Sequence, residues 1–362
     1  MKTINITKTL EMETIKTAVE VLKAGGLVIF PTETVYGAGV DATNQEAVKK
    51  LLAYKTRREG KPLSIAVPDQ ELALKYVEIN EQAKKLYQRF LPGPVTIISK
   101  GLGKVASGVE SEFGTLGVRI PDHGLLLKIL KEFGRPITAT SANASGKRRP
   151  YSIKNILDNI SNKQQSLINL VLDAGELPKN KPSTVIDTTL STPTTLRVGK
   201  VKTTEGESLI SRSEEETKKI AGILMLKHWD EIKEKGLVIG LDGALGAGKT
   251  IFTKGIAEFL QISETITSPT YSYIEEYVYE RHGVKGKLCH IDLWKIESEK
   301  ELERLEIEKL IRPNNIVVIE WWNQAEEFLQ KLIKEHRVGY SRMCFAGAGL
   351  SSSGSRVITT LE

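Results

Sequence analysis

The chain has 362 residues, and at roughly 150 residues per domain this length favours two units. With 40% hydrophobic and 27% charged residues, it is neither collagen-like, mucin-like nor wholly disordered. The formal charge of +6 averages two unlike halves: residues 1–205 carry 30 Lys and Arg against 20 Asp and Glu, net +10, and residues 206–362 carry 21 against 25, net −4.

Only Cys289 and Cys344 occur, outside any CxxC or His/Cys ligand spacing, which argues against a disulfide framework or a structural zinc site. The start MKTINITKTLEMETIKTA lacks an export-type apolar stretch, and no run approaches the ~18 apolar residues of a membrane span. The expected setting is the cytoplasm, with no membrane partner.

From the N-terminus, an amphipathic pattern predicts a helix over about Met12 to Lys23, followed by a Gly25-Gly26 turn and a buried strand Leu27 to Phe30. Further β-rich runs lie at Leu63 to Val67, Val95 to Ser99, Gly117 to Ile120, Ile137 to Thr140, Val171 to Asp173 and Ser183 to Asp187. Helical patterns fall between them at Gln45 to Lys55, Glu81 to Phe90 and Leu125 to Phe133. Strands and helices without strict βαβ alternation predict an α/β or α+β unit with a twisted mixed sheet. Lys200 to Ser208 has no apolar period and reads as a linker, placing the domains at 1–203 and 204–362. Ser213 to Glu216 has capping-box form and opens a helix reaching about Glu234; Gly236 closes it before the strand Leu237 to Leu241. Arg342 to Ala346 and Arg356 to Leu361 are expected to pair across a Gly/Ser-rich loop.

The sharpest local signal is Gly243-Ala244-Leu245-Gly246-Ala247-Gly248-Lys249-Thr250, a G-x-x-x-x-G-K-T loop directly after that strand and before a helical pattern from Thr250 to Leu260. Gly243, Gly246, Ala247 and Gly248 let successive amides face phosphate oxygens at a helix N-terminus. Lys249 then reaches the β- and γ-phosphates of ATP, and the Thr250 hydroxyl a Mg²⁺ ion. Asn315 to Trp322 is a buried strand ending in Glu320, a second Mg²⁺ contact, and Asp292 in His290-Ile291-Asp292 ends another apolar stretch, where it can orient water. This unit reads as a P-loop NTPase-like α/β sheet.

In this order the GALGAGKT loop, the Ser268-Pro269-Thr270-Tyr271-Ser272 segment, HIDLWK and the Glu320-Trp321 dipeptide resemble the TsaE (YjeE) ATPases of bacterial tRNA threonylcarbamoylation, from about Ile210 onward. The resemblance implies Mg²⁺ at Thr250 and Glu320, a hydrolytic role for Asp292 and a switch-like loop at Thr270 and Tyr271. Trp322 doubles the single Trp usual in that family.

The basic half has no Walker loop, yet cations and hydroxyls collect at the ends of its apolar runs. Among these are Thr32 to Thr34 after the first strand, Lys55 and Arg57, Lys61, Thr115 to Arg119, Ser141 to Asn143, Ser183 and Arg197. Such groups suit a triphosphate held without a P-loop, because a charge-assisted hydrogen bond is worth ~1.5–3 kcal/mol. Over residues 5–200 the order PTETVYG, Lys55-x-Arg57, PGPVTII, GVRIP, Ser141-x-Asn143, STVID and LRVG resembles the YrdC/TsaC threonylcarbamoyl-adenylate synthases. That resemblance implies condensation of L-threonine, bicarbonate and ATP into threonylcarbamoyl-adenylate and pyrophosphate. It places Thr34, Arg119 and Ser183 around threonine, and Arg57, Lys61, Thr115, Ser141 and Arg197 on ATP, with Lys55 and Asn143 completing the catalytic set. Where some family members carry a His after the Pro-Leu pair, this chain has Ser64-Ile65-Ala66.

Together the resemblances imply a fusion that works with separate TsaD-like and TsaB-like proteins and meets tRNA through them. An alternative reading makes the basic half an RNA-binding module beside a regulatory ATPase; the net charge permits it. The 6% aromatic content and the lack of an RNP-like stretch speak against it.

Overall fold

The structure, a computed structural model, describes residues 1–56, 62–144, 147–191, 193–197, 199, 208–269, 272–296, 298–346 and 356–361. The chain divides into two compact units, one of Met1–Thr189 with Pro193–Glu205, the other of Leu190–Thr192 with Gly206–Glu362.

The first unit contains strands β1 (Lys2–Asn5), β2 (Leu27–Phe30), β3 (Gly37–Gly39), β4 (Ser64–Ala66), β5 (Val77–Glu78), β6 (Val95–Gly101), β7 (Thr115–Arg119), β8 (Ile137–Ser141), β9 (Ile168–Asp173), β10 (Thr184–Asp187) and β11 (Thr194–Arg197). Its helices are α1 (Glu11–Lys23), α2 (Gln45–Lys55), α3 (Gln70–Ala73), α4 (Glu81–Phe90), α5 (Gly124–Phe133), α6 (Ile153–Leu157) and α7 (Asn162–Ser166). The strands form one mixed sheet in the order β1-β9-β2-β3-β8-β4-β7-β6-β10-β11, with β5 beside β6.

The sheet is covered on both faces, and β2 explains how. Successive strand residues point to opposite sides, so Leu27 and Ile29 enter a core shared with Val48, Leu51 and Tyr54 of α2. Val28 and Phe30 enter a second core with Ala18 and Leu22 of α1 and Leu126, Ile129 and Leu130 of α5. Burying each such side chain contributes about 1.5–3 kcal/mol, which is why β2 reads as an unbroken apolar run. Helix α2 starts where Asn44 accepts hydrogen bonds from the amides of Glu46 and Ala47, and it stops at Thr56, whose φ of 48° leaves the helical region. That stop fixes Lys55 at the helix's last turn.

The second unit contains β12 (Ser208–Ser211), α8 (Glu214–Lys235), β13 (Leu237–Gly243), α9 (Lys249–Phe259), β14 (Ile274–Arg281), β15 (Val284–Asp292), α10 (Glu299–Arg304), β16 (Ile316–Glu320), α11 (Glu326–His336), β17 (Gly339–Ala346) and β18 (Arg356–Leu361). The strand order is β12-β18-β17-β13-β16-β15-β14. Strand β13 lies parallel to both β16 and β17, and β15 is parallel to β16. The carboxyl ends of β13, β16 and β15 therefore meet at one edge, with Leu241 opposite Glu320 and Asp292 opposite Glu320. Open parallel sheets bind ligands at that edge.

Three expectations need adjustment. Ser208 opens β12 instead of closing a linker, because β12 pairs antiparallel with β18; residues 200–207 lie outside the described residues. The capping box at Ser213 is half formed: Ser213 Oγ accepts from the Glu216 amide at 3.1 Å, but the Glu216 carboxylate accepts from the Arg212 amide at 2.8 Å. The short apolar stretch before Asp292 is the last part of a full hairpin, β14 against β15, turned by His282 and Gly283 at φ 49° and 77°. The C-terminal hairpin forms as expected, from Arg342 opposite Leu361 to Ala346 opposite Val357.

Candidate functional site

In the second unit the loop after β13 owes its path to glycine. Gly243 has φ 139°, and a Cβ there would stand 2.5 Å from the Phe345 carbonyl oxygen; Gly248, at φ 108°, caps α9. Lys249, at the first position of α9, is buried and turns back to donate to the carbonyls of Gly243 at 2.7 Å and Ala244 at 3.1 Å. Its ammonium also lies 4.0 Å from the centre of the Trp321 ring, and Trp321 in turn packs on Trp294 at 4.3 Å. Burial lowers the Lys249 pKa against the opposing pull of Glu320, Asp292 and Asp242.

Thr250 Oγ1 donates to Glu320 Oε1 at 2.9 Å, joining the first turn of α9 to the end of β16. The same oxygen accepts from His290 Nε2 at 2.9 Å, and both side chains are almost wholly buried. A carboxylate only accepts, so Nε2 carries the proton. Asp292 takes a hydrogen bond from Ser268 Oγ at 2.6 Å and one from the Trp294 amide at 3.0 Å. Lys249, Thr250, Glu320 and Asp292 thus lie in one neighbourhood. Thr270 and Tyr271 lie outside the described residues.

His290 and Ser268 lie inside motifs of the sequence, but no pattern there gives either a role. His290 stands two residues before Asp292 on β15, so the two share a face of the strand, a periodicity the sequence does contain. A third acid, Asp242, is used structurally: it accepts from Arg342 Nε at 2.7 Å and the Asn323 amide at 2.9 Å.

In the first unit, Thr32 Oγ1 accepts from the amides of Thr34 at 3.1 Å and Val35 at 3.2 Å and donates to the Val35 carbonyl at 2.7 Å, closing a turn after β2. That turn delivers Glu33 and Thr34 to Arg119, at the end of β7. Arg119 Nη2 donates to Glu33 Oε1 at 2.7 Å and Thr34 Oγ1 at 3.0 Å. Arg197 on β11 donates through Nε to the Ser183 carbonyl at 3.0 Å and through Nη2 to Ser183 Oγ at 2.8 Å. Arg197 as a whole is exposed, yet around its hydrogen-bonded guanidinium desolvation first, and then the positive fields of Arg119 and Arg149, lower its pKa. Three guanidinium groups therefore act on one region, the condition for holding an anion.

Lys55 Nζ donates to the carbonyls of Ser141, at 2.7 Å, and of Asn143. Asn143 Nδ2 donates to the Lys147 carbonyl at 2.8 Å. Lys55 thus meets the backbone of Ser141 and Asn143, and Arg119 meets the Thr34 side chain. Thr115 pairs with Ser111 at 2.7 Å and stands four residues before Arg119 on the same face of β7, about 13 Å away along a strand. A ligand meeting both must be extended. Arg57 and Lys61 lie outside the described residues. Glu33, a letter of PTETVYG to which the motif gives no role, and Arg149, which carries no sequence signal beyond its nearness to Ser141-x-Asn143, belong to this neighbourhood.

Residues 20–199 match the Sua5/YciO/YrdC family model, described as "Telomere recombination". The threonylcarbamoyl-AMP synthase of Vibrio campbellii is 31% identical over 181 residues, which make up 49% of this chain and 95% of that protein. The chain belongs to the Sua5/YciO/YrdC family. Its second unit matches the model described as "Threonylcarbamoyl adenosine biosynthesis protein TsaE" over residues 211–343, so a Sua5/YciO/YrdC unit is fused to a TsaE unit. The threonylcarbamoyl-AMP synthase of Pyrococcus abyssi is 36% identical over 208 residues, 57% of this chain but only 60% of its own length. The crystal structure of P. abyssi Sua5 complexed with L-threonine covers 94% of this chain and 98% of its own at 22% identity and a TM-score of 0.51, a likeness of fold. No helix among the described residues is long and apolar enough to cross a membrane.

Proposed function

We propose that the Sua5/YciO/YrdC unit condenses L-threonine, bicarbonate and ATP into L-threonylcarbamoyl-adenylate and pyrophosphate. The TsaE unit hydrolyses ATP in support of transfer of that group to tRNA by separate TsaD-like and TsaB-like proteins. The observation that carries the first half is Arg119 bonded to Thr34, with Arg197 locked on Ser183 and Arg149 in electrostatic reach. The L-threonine in the P. abyssi Sua5 complex supports the choice of amino acid.

In this reading the threonine carbamate attacks the α-phosphorus of ATP, and two anions must approach. Arg119, Arg149 and Arg197 reduce that repulsion, and the two not engaged with the amino acid, Arg149 and Arg197, stabilise charge on the departing pyrophosphate. The extended spacing from Arg119 to Thr115 suits an amino acid at one end and a nucleotide at the other, held in line for attack. Lys55 braces the Ser141 to Asn143 loop through its carbonyls.

In the TsaE unit, Thr250 Oγ1 and Glu320 Oε1 are adjacent hard oxygen donors. Mg²⁺ takes one or two protein oxygens, several waters and substrate phosphates, so this pair fits it; bound there with ATP it neutralises phosphate charge. Lys249 leaves the Gly243 and Ala244 carbonyls to meet the β- and γ-phosphates, and Asp292, held by Ser268, accepts from the attacking water. His290 keeps the Glu320 carboxylate aimed at Thr250.

Purified chain given ATP, L-threonine and bicarbonate should release pyrophosphate only when threonine is present. Threonine-independent release, or none from folded protein, removes the synthase half of the reading.

A further inference from the structure

Resting on the synthase reading above, we propose that Glu33 is a catalytic residue of the first unit. It holds the ammonium group of the amino-acid substrate and accepts the proton released when that nitrogen takes up bicarbonate.

Glu33 Oε1 is matched by Arg119 Nη2, but Glu33 Oε2 is buried and has no hydrogen-bond partner, and Arg119 Nε is buried and unmatched as well. A buried polar atom left unpaired destabilises the fold, so a ligand that matches both atoms is favoured. An unmatched anionic acceptor beside an unmatched cationic donor is the complement of an amino-acid zwitterion, with its ammonium on Oε2 and its carboxylate on Nε–H. The nearby hydroxyls are poor alternatives for the ammonium. Thr34 Oγ1 already accepts from Arg119 and pairs with Thr32 at 3.0 Å; Ser183 Oγ accepts from Arg197 and pairs with Thr96 at 3.2 Å. The Glu33 and Arg119 side chains keep 13% and 12% of their surface exposed, so the pair stands at the edge of solvent, and rotation of the carboxylate can exchange its oxygens.

The step balances as R–NH₃⁺ plus HCO₃⁻ giving R–NH–COO⁻, H₂O and H⁺. The N–C bond forms and the C–OH bond of bicarbonate breaks. One ammonium proton leaves with the hydroxide as water, and the other passes to Glu33. Without an acceptor the nitrogen stays protonated and carries no lone pair for attack.

Glu33→Gln keeps an oxygen for Arg119 Nη2 and removes the negative charge. In the full chain, threonine-dependent pyrophosphate release should fall about 10²–10⁴-fold, the usual share of a general base. Formation of ATP from threonylcarbamoyl-adenylate and pyrophosphate, which tests adenylyl transfer alone, should stay within about threefold of wild type. Calorimetry should find L-threonine binding weakened by about tenfold or more, while the analogue with a hydroxyl in place of the amine binds both proteins alike. Glu33→Asp should recover part of the forward rate. Forward activity of Glu33→Gln near wild type overturns the inference, as does equal loss in both directions, which would assign Glu33 to positioning Arg119. A wild-type chain inert in both directions sinks the synthase reading itself, and this inference with it.

Discussion

Replacing Arg119 by Ala leaves the Glu33 carboxylate, 13% exposed, without its cation and deprives the Thr34 hydroxyl of a charged donor. Removing one partner of a buried ion pair costs about 3–5 kcal/mol, and because this pair borders solvent the lower end applies, about 3 kcal/mol. Most of that is the stranded charge. Adding Glu33→Gln to Arg119→Ala should therefore recover about 2 kcal/mol, a coupling far above the few tenths expected of independent sites. All four tryptophans, Trp229, Trp294, Trp321 and Trp322, belong to the second unit. Tryptophan fluorescence in urea thus serves as an internal control, while hydrogen exchange across β6 and β7 reads the first unit. If the double variant is less stable than Arg119→Ala alone, the pair is not an electrostatic unit and the reasoning fails.

Lys249→Ala should abolish ATP hydrolysis by the TsaE unit, by about 10²-fold or more, while sparing pyrophosphate release; joint loss contradicts two independent sites. Thr250→Val removes the bond to Glu320 and should raise the Mg²⁺ concentration needed for nucleotide binding, measured by equilibrium titration; an unchanged requirement counts against the Thr250–Glu320 site. Gly243→Ala forces a side chain onto φ 139° beside the Phe345 carbonyl and should cost about 1–3 kcal/mol in urea unfolding of the second unit. Tyr36 has its pKa raised from 10.0 to about 12, with burial the main cause. A phenol whose folded pKa lies above its unfolded one stabilises below the unfolded value and loses that contribution as pH rises through the folded one. The first unit should therefore weaken between pH 10.0 and about 12, and Tyr36→Phe should flatten that limb in far-ultraviolet circular dichroism.

The P-loop was legible because its chemistry is local: glycine geometry, the strand before it and the helix after it all lie within one stretch of sequence. Glu320 and Asp292 were legible as strand ends, and register then placed them opposite each other. His290 was not, since its role depends on β15 lying beside β16, a pairing that no local pattern announces. Strand β3 escaped for a different reason. Gly37, Ala38 and Gly39 carry no apolar alternation, and the glycines are there because a Cβ at either would run into the Phe30 ring. In the sequence Glu33 is one letter of PTETVYG. Its importance comes from Arg119, 86 residues later, and from the two atoms the pair leaves unmatched.

Mass spectrometry of the product formed from ¹³C-bicarbonate, L-threonine and ATP decides whether the first unit makes threonylcarbamoyl-adenylate. The expected product is an adenylate that contains both threonine and the labelled carbon, formed with one pyrophosphate and retained in Lys249→Ala. An adenylate without the carbon, threonyl-adenylate alone, or no threonine-dependent product at all would contradict it.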